Sequence, residues 1–270
     1  MKLRDLDDQW LIKDHFFGIY KEDKKSGEVY LVDPQNPVAR LPKPVLQRAI
    51  DAAIAQLESK LGLSIRNTEQ DTEYHDYDAD LYNAYMLVLL RHYPVSRLHS
   101  LQLVYGENGP VIWDVPDDTI QLHGLHSKFG MLQVLPMWGI ANNYDPAYAL
   151  LFPGVIGQRY APSMLKVVYD HGLAGDTKDL PDDIVRCIGL IASMHPFNIL
   201  GDIVIGAGIA SKSISVDGIS KSVNTTSSAE NAAYSARIIM HRRLLYGEQG
   251  TPGLLQDLQR QWRRPPVGLL

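Results

Sequence analysis

Cysteine is nearly absent from this sequence, since Cys187 is the one example among 270 residues. A single thiol cannot build a disulfide framework, and it excludes zinc sites made of four cysteines or of two cysteines and two histidines. A positive excess is also missing, because 26 lysines and arginines face 31 aspartates and glutamates, giving a net charge of −5. The chain therefore lacks the overall basic field of many proteins that bind nucleic acid or acidic membranes.

Long hydrophobic runs are absent too. The most apolar stretch, 184–210, is interrupted by polar groups such as Arg186, His195 and Asp202, which a bilayer centre tolerates poorly. The first eight residues are too charged for the apolar core of a signal peptide. With 45% hydrophobic and 21% charged residues, the composition excludes a disordered chain, a collagen and a coiled-coil rod. We expect a soluble protein of a reducing compartment, with no membrane partner.

The beginning of the chain is interpreted as an N-terminal arm over 1–43. Proline disfavours helix in the residue before it, and X-Pro steps recur here at Asp33-Pro34, Asn36-Pro37, Leu41-Pro42 and Lys43-Pro44. A short strand is predicted at 27–32. A first helix is predicted over 44–63, because apolar residues recur at helical spacing and Gly62 suits the left-handed residue that ends a helix.

Residues 64–179 are interpreted as a β-rich insertion. After an acidic, tyrosine-rich patch at 69–80, short apolar runs alternate with turn signals, and a long loop is predicted over 136–162. The strand candidates are 84–90, 98–105, 111–115, 119–122, 129–135 and 165–169. This spacing indicates an antiparallel sheet or a small barrel.

Helical patterns return over 180–247. Leu180-Pro181-Asp182-Asp183 places proline and acidic groups at a helix start, where they suit the free N–H groups and the helix dipole. Pro196 is expected to kink or end this helix, before a second apolar segment at 199–209.

A hairpin and a last helix complete this region. Asp217-Gly218, between alternating residues over 211–223, is a hairpin signal. Ser227 and Glu230 form a capping-box pattern ahead of a final helix, and Gly247 ends that helix.

Motifs for catalysis or cofactors are weak. The run from Gly206 to Ser211 imitates a dinucleotide fingerprint, but a hydroxyl-rich hairpin follows it, so close helix packing explains it better. The acidic run at 76–80 fails as a calcium loop, because leucines stand where glycine and glutamate are needed. His123 and His126 lack further zinc ligands. We therefore expect no catalytic residue, no metal and no cofactor, and a buried Cys187.

The C-terminal tail, 248–270, carries residue types that are enriched at protein interfaces. The residues expected to bind a partner are Arg260, Trp262, Arg263, Arg264, Val267, Leu269 and Leu270. Few core positions are expected there, so removal of the chain after Gly253 is predicted to leave the fold intact and to abolish attachment. Toward DNA, so short a tail would add only a sequence-independent attraction.

Three segments resemble the head–tail connector (adaptor or neck) proteins of tailed bacteriophages. They are 46–63 followed by His92-Tyr93-Pro94-Val95-Ser96-Arg97-Leu98, the Leu180-Pro181-Asp182-Asp183 helix, and Lys212 to Ser222 with the final helix. In that family a helix, a Pro-Val strand start, a Leu-Pro-Asp-Asp helix and a Ser-Val-Asp-Gly-x-Ser hairpin follow one another. The match covers about half of the chain.

The residues predict an α+β fold, with helices in 44–63 and 180–247, an inserted antiparallel β-rich region and extended terminal arms. The resemblance implies that the helices form a bundle of connector type, and the long β-rich region is additional to the family pattern. The resemblance also implies a homo-oligomeric ring, commonly a dodecamer, at the head–tail junction of a virion and assembled in the host cytoplasm. The ring would bind the portal protein and a tail or second neck protein, while double-stranded DNA passes through. The hairpin residues implied at the channel are Lys212, Ser213, Ser215, Asp217, Gly218, Ser220 and Lys221.

Two alternatives stay open. The first is a tail terminator, tail-completion or baseplate protein built around the β-rich region. The second is a hydrolase that uses Asp76, Asp78, His123 and His126. The mild acidity of the chain favours the connector, because a DNA conduit must not hold its cargo. On that hypothesis the protein is not an enzyme.

Overall fold

The computed structural model describes residues 19–22, 29–32, 40–78, 86–134, 160–173, 180–205, 211–216, 219–224, 234–248 and 250–264. The chain divides into two compact units. The β unit is Gly62–Gly175, and the helical unit joins Lys2–Leu61 to Asp176–Leu270. The sequence-based limits of the insertion, 64 and 179, lie near these bounds.

The described elements mix helices with antiparallel sheets, which confirms the α+β class. The helices are α1 (Lys43–Leu61), α2 (Leu125–Phe129), α3 (Asp182–Ile205), α4 (Ser235–Tyr246) and α5 (Leu254–Trp262). The strands are β1 (Ile19–Glu22), β2 (Val29–Val32), β3 (Arg40–Pro42), β4 (Thr68–Asp78), β5 (Met86–Leu89), β6 (Val95–Val104), β7 (Val111–Asp114), β8 (Ile120–Gln121), β9 (Met131–Val134), β10 (Tyr160–His171), β11 (Ser211–Val216), β12 (Ile219–Asn224), β13 (Gly247–Glu248) and β14 (Thr251–Pro252).

In the helical unit, α1 packs against α3, and both contact α5. The helical spacing predicted for α1 is confirmed, although Val45, the first residue it selected, is only half-buried. The other selected residues are buried: Leu46, Ala49, Ile50, Ala53, Ile54, Leu57 and Leu61. Gly62 has a φ of 70°, as expected of the left-handed residue after a helix. The apolar face of α1 thus forms part of the core of this unit.

α3 continues through Pro196, so the expectation that the helix ends there is wrong. Phe197 next to it and Cys187 and Ile188 earlier in the helix are fully buried, and this packing stabilises a helix that has lost one backbone hydrogen bond. Cys187 is buried as predicted, and burial raises the pKa of its thiol to about 12.

By length and composition alone, one described helix could cross a membrane: Asp182–Val204, with a mean hydropathy of 1.4. In this protein 61% of that apolar window is buried against the rest of the chain. Such burial is typical of the core helix of a soluble protein.

The C-terminal segment is part of the core, which corrects the expectation of a tail with few core positions. Leu255, Leu258 and Trp262 are buried on α5, at spacings of three and four residues that place them on one helix face. The chain reverses between α4 and α5 through the short β13–β14 pair. A Cβ at Gly253 would lie 2.3 Å from the backbone nitrogen of Gly247, so this reversal requires glycine.

The expectation of an irregular N-terminal arm is also corrected, since β1, β2 and β3 form an antiparallel sheet ahead of α1. The strand predicted at 27–32 corresponds to β2.

Two antiparallel sheets build the β unit, in the strand orders β4-β10-β6-β7 and β5-β9-β8. Strands were predicted near most of these positions, but β4 was interpreted only as an acidic patch. The apolar core of the unit comprises Tyr77, Val88, Leu90, Val95, Leu101, Leu103, Val115, Ile120, Leu132, Val134, Met164, Leu165, Val167 and Tyr169. Strand β10 contributes four of these residues and pairs with β4 on one side and β6 on the other.

The two ends of the β unit lie side by side. The backbone N–H of Leu173 donates to the carbonyl of Ser64 over 3.1 Å, and that of Gly172 donates to Pro94 over 2.9 Å. Gly172 has a φ of 125°, and a Cβ there would lie 2.4 Å from the carbonyl oxygen of Arg66. The chain thus enters and leaves the unit at one point.

Candidate functional site

The predicted channel hairpin is present as β11 and β12. Its antiparallel register pairs Ser213 with Ser222 and Ser215 with Ser220. Lys212 and Lys221 lie on β11 and β12, whereas Asp217 and Gly218, at the turn, lie outside the described residues. The capping box at Ser227 and Glu230 and the glycine-rich run at 206–210 also lie outside them.

The register separates the hairpin residues into two faces. Alternate residues of a strand share a face, so the paired serines lie on one face and the pair Val216–Ile219 lies on the other. Lys212, Ile214, Lys221 and Val223 share the face of Val216. Within the described part of the chain, the hairpin pairs with no third strand.

The predicted partner-binding residues lie on or after α5. Arg260 is exposed, and its guanidinium is 3.6 Å from the carboxylate of Asp257. Trp262 is 6% exposed, so its indole packs inside the chain and the interpretation of it as a partner contact is corrected. Arg263 is exposed and Arg264 half-buried, while Val267, Leu269 and Leu270 lie outside the described residues.

The proposed hydrolase residues lie in two segments of the β unit, β4 and the start of α2. Asp76, on β4, accepts hydrogen bonds from Tyr160 Oη (2.6 Å) and from the backbone N–H of Ser163 (2.8 Å), and these bonds lower the pKa of its carboxyl group. Asp78 ends β4, opposite Tyr160. His123 precedes α2 and His126 lies in it.

A group of side chains that sequence reasoning missed meets at one end of the larger sheet of the β unit. Residues 71, 73 and 75 alternate on one face of β4, and residues 169 and 171 alternate on β10 beside them. The loop between β5 and β6 adds a histidine. We call this the His–carboxylate cluster: Asp71, Glu73, His75, His92, Tyr169 and His171.

Glu73 is the buried centre of the cluster. Its carboxylate accepts hydrogen bonds from the backbone N–H of Arg91 (3.1 and 3.0 Å), from His75 Nε2 (2.9 Å) and from Tyr169 Oη. Burial alone would raise the pKa of Glu73, but the bonds from His75, Tyr169 and Arg91 outweigh it and lower the pKa to about 2. Glu73 is therefore a carboxylate at neutral pH.

Asp71 and two histidines form the more open side of the cluster. His171 Nε2 lies 3.2 Å from Asp71 Oδ2, and His92 Nε2 lies 4.0 Å from the same oxygen. The two imidazole rings stack with centroids 4.7 Å apart. Burial and the neighbouring His92 lower the pKa of His171, which favours the neutral ring.

A second histidine–carboxylate pair lies nearby on the sheet. His99 Nε2 is 2.7 Å from Asp170 Oδ1, and the same oxygen accepts the backbone N–H of Gln70 over 2.7 Å. Gln70 has a φ of 53°, an uncommon conformation for a residue other than glycine. Asp170 thus stabilises the unusual backbone conformation of Gln70 in β4.

The His–carboxylate cluster was not predicted, because its residues are far apart in the sequence. Glu73 and Tyr169 are 96 residues apart, and His92 contacts Tyr169 across 77 residues. The one local signal was the alternation Asp71, Glu73, His75, which a half-buried strand with a polar inner face would produce. Chemically, the cluster offers carboxylate oxygens and an imidazole nitrogen to a cation.

No protein-family model matches the chain, and no curated protein matches it. Three solved structures are similar in part. The neck of an empty GTA particle computed with C6 symmetry is 16% identical, with a TM-score of 0.37, over 57% of this chain and 67% of that one. The neck of a native GTA particle computed with C12 symmetry is 16% identical, with a TM-score of 0.35, over 56% and 68%.

The third is the virion of a native gene transfer agent (GTA) particle, which is 14% identical, with a TM-score of 0.36, over 57% of this chain and 66% of that one.

Proposed function

We propose that the protein is a virion structural protein of a tailed-phage-like particle, a head–tail connector whose copies close into a ring between portal and tail. In this proposal genomic DNA passes through the ring, and the protein performs no enzymatic reaction. The observation that carries the proposal is the β11–β12 hairpin, which leaves α3 and returns to α4.

The hairpin is suited to a contact between subunits. A two-stranded hairpin is marginally stable by itself in water, and this one pairs with no third strand among the described residues. By register, its second face carries Lys212 and Lys221 beside four apolar residues, and the paired Val216 and Ile219 of this apolar face would give a neighbouring subunit a surface to cover. In a ring, each hairpin would lie against the next copy and its serine face would be directed to the channel.

The order of the elements supports the same function. α1, α3 with its Leu-Pro-Asp-Asp start, the serine-rich hairpin and α4 follow one another as the resemblance to connector proteins implies. A serine face without strong positive charge suits a channel through which DNA must move freely. The net charge of −5 agrees with this requirement.

The end of the chain is proposed as the attachment to the portal protein. Trp262 is buried in the helical unit and anchors the end of α5, next to Arg263 and Arg264. Arg260 and Arg263 are exposed beside this anchor. They and the apolar residues after 264 would bind the partner, with Trp262 acting as a positioning residue.

The ring is tested by comparing two matched double variants. Val216→Asp with Ile219→Asp puts two charges on the apolar face, whereas Ser215→Asp with Ser220→Asp puts the same two charges at the adjacent cross-strand pair of the serine face. We expect rings from the parent chain and the serine variant, and monomers from the apolar-face variant, by mass photometry and electron microscopy.

Circular dichroism of all three proteins establishes that each is folded. A strictly monomeric parent chain would overturn the connector proposal. Rings that persist in the Val216–Ile219 variant would show that the hairpin is not the subunit contact.

A further inference from the structure

We propose that Asp71, Glu73 and His92 of the β unit bind a divalent transition-metal cation, for which Zn²⁺ is the representative. This departs from the sequence-based expectation of no metal. It concerns the β unit alone and does not depend on the connector proposal.

The candidate ligand atoms lie close to one another. One potential ligand atom from each of the three residues lies within 4.8 Å of the others, the one such group among the described residues. His92 Nε2 and Asp71 Oδ2 are 4.0 Å apart, too far for a hydrogen bond. Tetrahedral zinc, with bonds of about 2.0–2.2 Å, holds its ligand atoms about 3.4 Å apart, so His92, whose side chain is 51% exposed, would move toward Asp71 on binding.

Surrounding groups hold the ligands in place. His171 Nε2 lies 3.2 Å from Asp71 Oδ2, and Tyr169 and the backbone of Arg91 donate to Glu73. The backbone N–H of His92 is 3.3 Å from Tyr169 Oη, and its ring stacks on His171. Such supporting hydrogen bonds are typical of protein metal sites, where they orient the ligands.

His171 provides an independent observation. It is 5% exposed, and its Nδ1 is buried without a hydrogen-bond partner among the described residues. A buried unpaired polar atom is costly, and the other ring nitrogen of the same side chain is directed into the cluster. There it donates to the carboxylate of Asp71 and orients that ligand.

The donor set indicates the class of cation. One imidazole nitrogen with two carboxylates suits zinc and manganese rather than the thiolate-preferring metals. The His92 side chain is 51% exposed and that of Asp71 31% exposed, so solvent can fill the remaining coordination positions. Glu73 already accepts four hydrogen bonds, and a cation at its Oε2 would replace the bond from His75.

The proposal is tested by isothermal titration of the metal-free full-length chain with Zn²⁺. We expect saturable binding of one ion per chain, weakened at least tenfold in Asp71→Asn and in His92→Ala. His99→Ala removes a histidine of the same sheet outside the cluster, and it should bind as the parent does. His75→Ala should bind equally or more tightly, since it removes the competitor for Glu73.

Absence of saturable binding by the parent chain, or unchanged affinity in His92→Ala, would overturn the proposal. Loss of binding in His99→Ala would do the same, because it would assign the ion to another site. His92→Gln, which keeps the exposed position polar, repeats the test if His92→Ala does not fold. The absorption spectrum of bound Co²⁺ reports nitrogen ligation, which should disappear in both His92 variants.

Discussion

Asp170 shows how one side chain stabilises an unusual backbone conformation. It accepts the N–H of Gln70, at a φ of 53°, and lies 2.7 Å from His99 Nε2. Its side chain is 15% exposed. Partial burial would raise the pKa of this carboxyl group, but the bonds from Gln70 and His99 outweigh it and leave the pKa below its usual value.

This lowered pKa predicts a loss of stability in acid. A carboxyl whose pKa is lower in the folded state stabilises the fold above its unfolded value, about 3.9, and that contribution is lost as the pH falls through the folded pKa. We expect Asp170→Asn to lower the urea unfolding free energy at pH 7, and the difference from the parent to shrink toward pH 3. A difference that is equal at both pH values would contradict the role of the charged carboxylate.

α5 illustrates how the meaning of a segment changes once its packing is known. Leu255, Leu258 and Trp262 had helical spacing in the sequence, but Gly253 before them and Pro265-Pro266 after them suggested a tail. The spacing of these three residues alone would have predicted a helix here. The fold-back on α4 was not predictable locally, because it depends on the contact between Gly247 and Gly253.

Other elements escaped prediction for different reasons. Polar residues occupy the inner face of β4, so the sequence around Asp71 and Glu73 resembles a solvent-exposed patch. In the structure both carboxylates accept hydrogen bonds from residues distant in the chain. A proline inside a helix normally ends or kinks that helix. The helix α3 continues past Pro196, where its packing on α1 and α4 stabilises it. By contrast, α1 was predicted in full, since its periodicity is local.

Removal of α5 is predicted to unfold the helical unit. A chain ending at Gly253 loses three buried side chains, each worth about 2–5 kcal/mol, against a total stability of about 5–15 kcal/mol for a domain. We expect loss of the helical circular-dichroism signal or a much lower melting temperature. The matched control ends at Arg264 and should keep the helical unit.

The control truncation also separates folding from attachment. It lacks Val267, Leu269 and Leu270 but retains Trp262, so a folded protein that no longer binds its partner would support docking by these residues. Normal stability of the chain that ends at Gly253 would show that α5 adds little to the core.

Each of the two units that make up the molecule has its own buried residues. The β unit has a continuous apolar core between its sheets, and α1, α3, α4 and α5 supply a second one. A unit with its own core is expected to fold by itself. The length of the chain follows from this division, since a β unit accompanies the helical unit.

We predict that residues 62–175 fold as an isolated protein. Because Leu173 and Ser64 are hydrogen-bonded, the cut leaves the two ends already paired and removes no strand. A single cooperative thermal transition and a dispersed amide NMR spectrum are expected. A collapsed spectrum without such dispersion would mean that the unit depends on the rest of the chain.

The pairing of Ser64 with Leu173 has a consequence for how such a chain can arise and be altered. Closing a loop costs little extra entropy as the loop lengthens, and here the two ends are already in contact. A few residues could therefore replace the whole β unit without stretching α1 away from α3. Exchange of the β unit for a different module at this point would change what the chain carries and leave α1 and α3 in place.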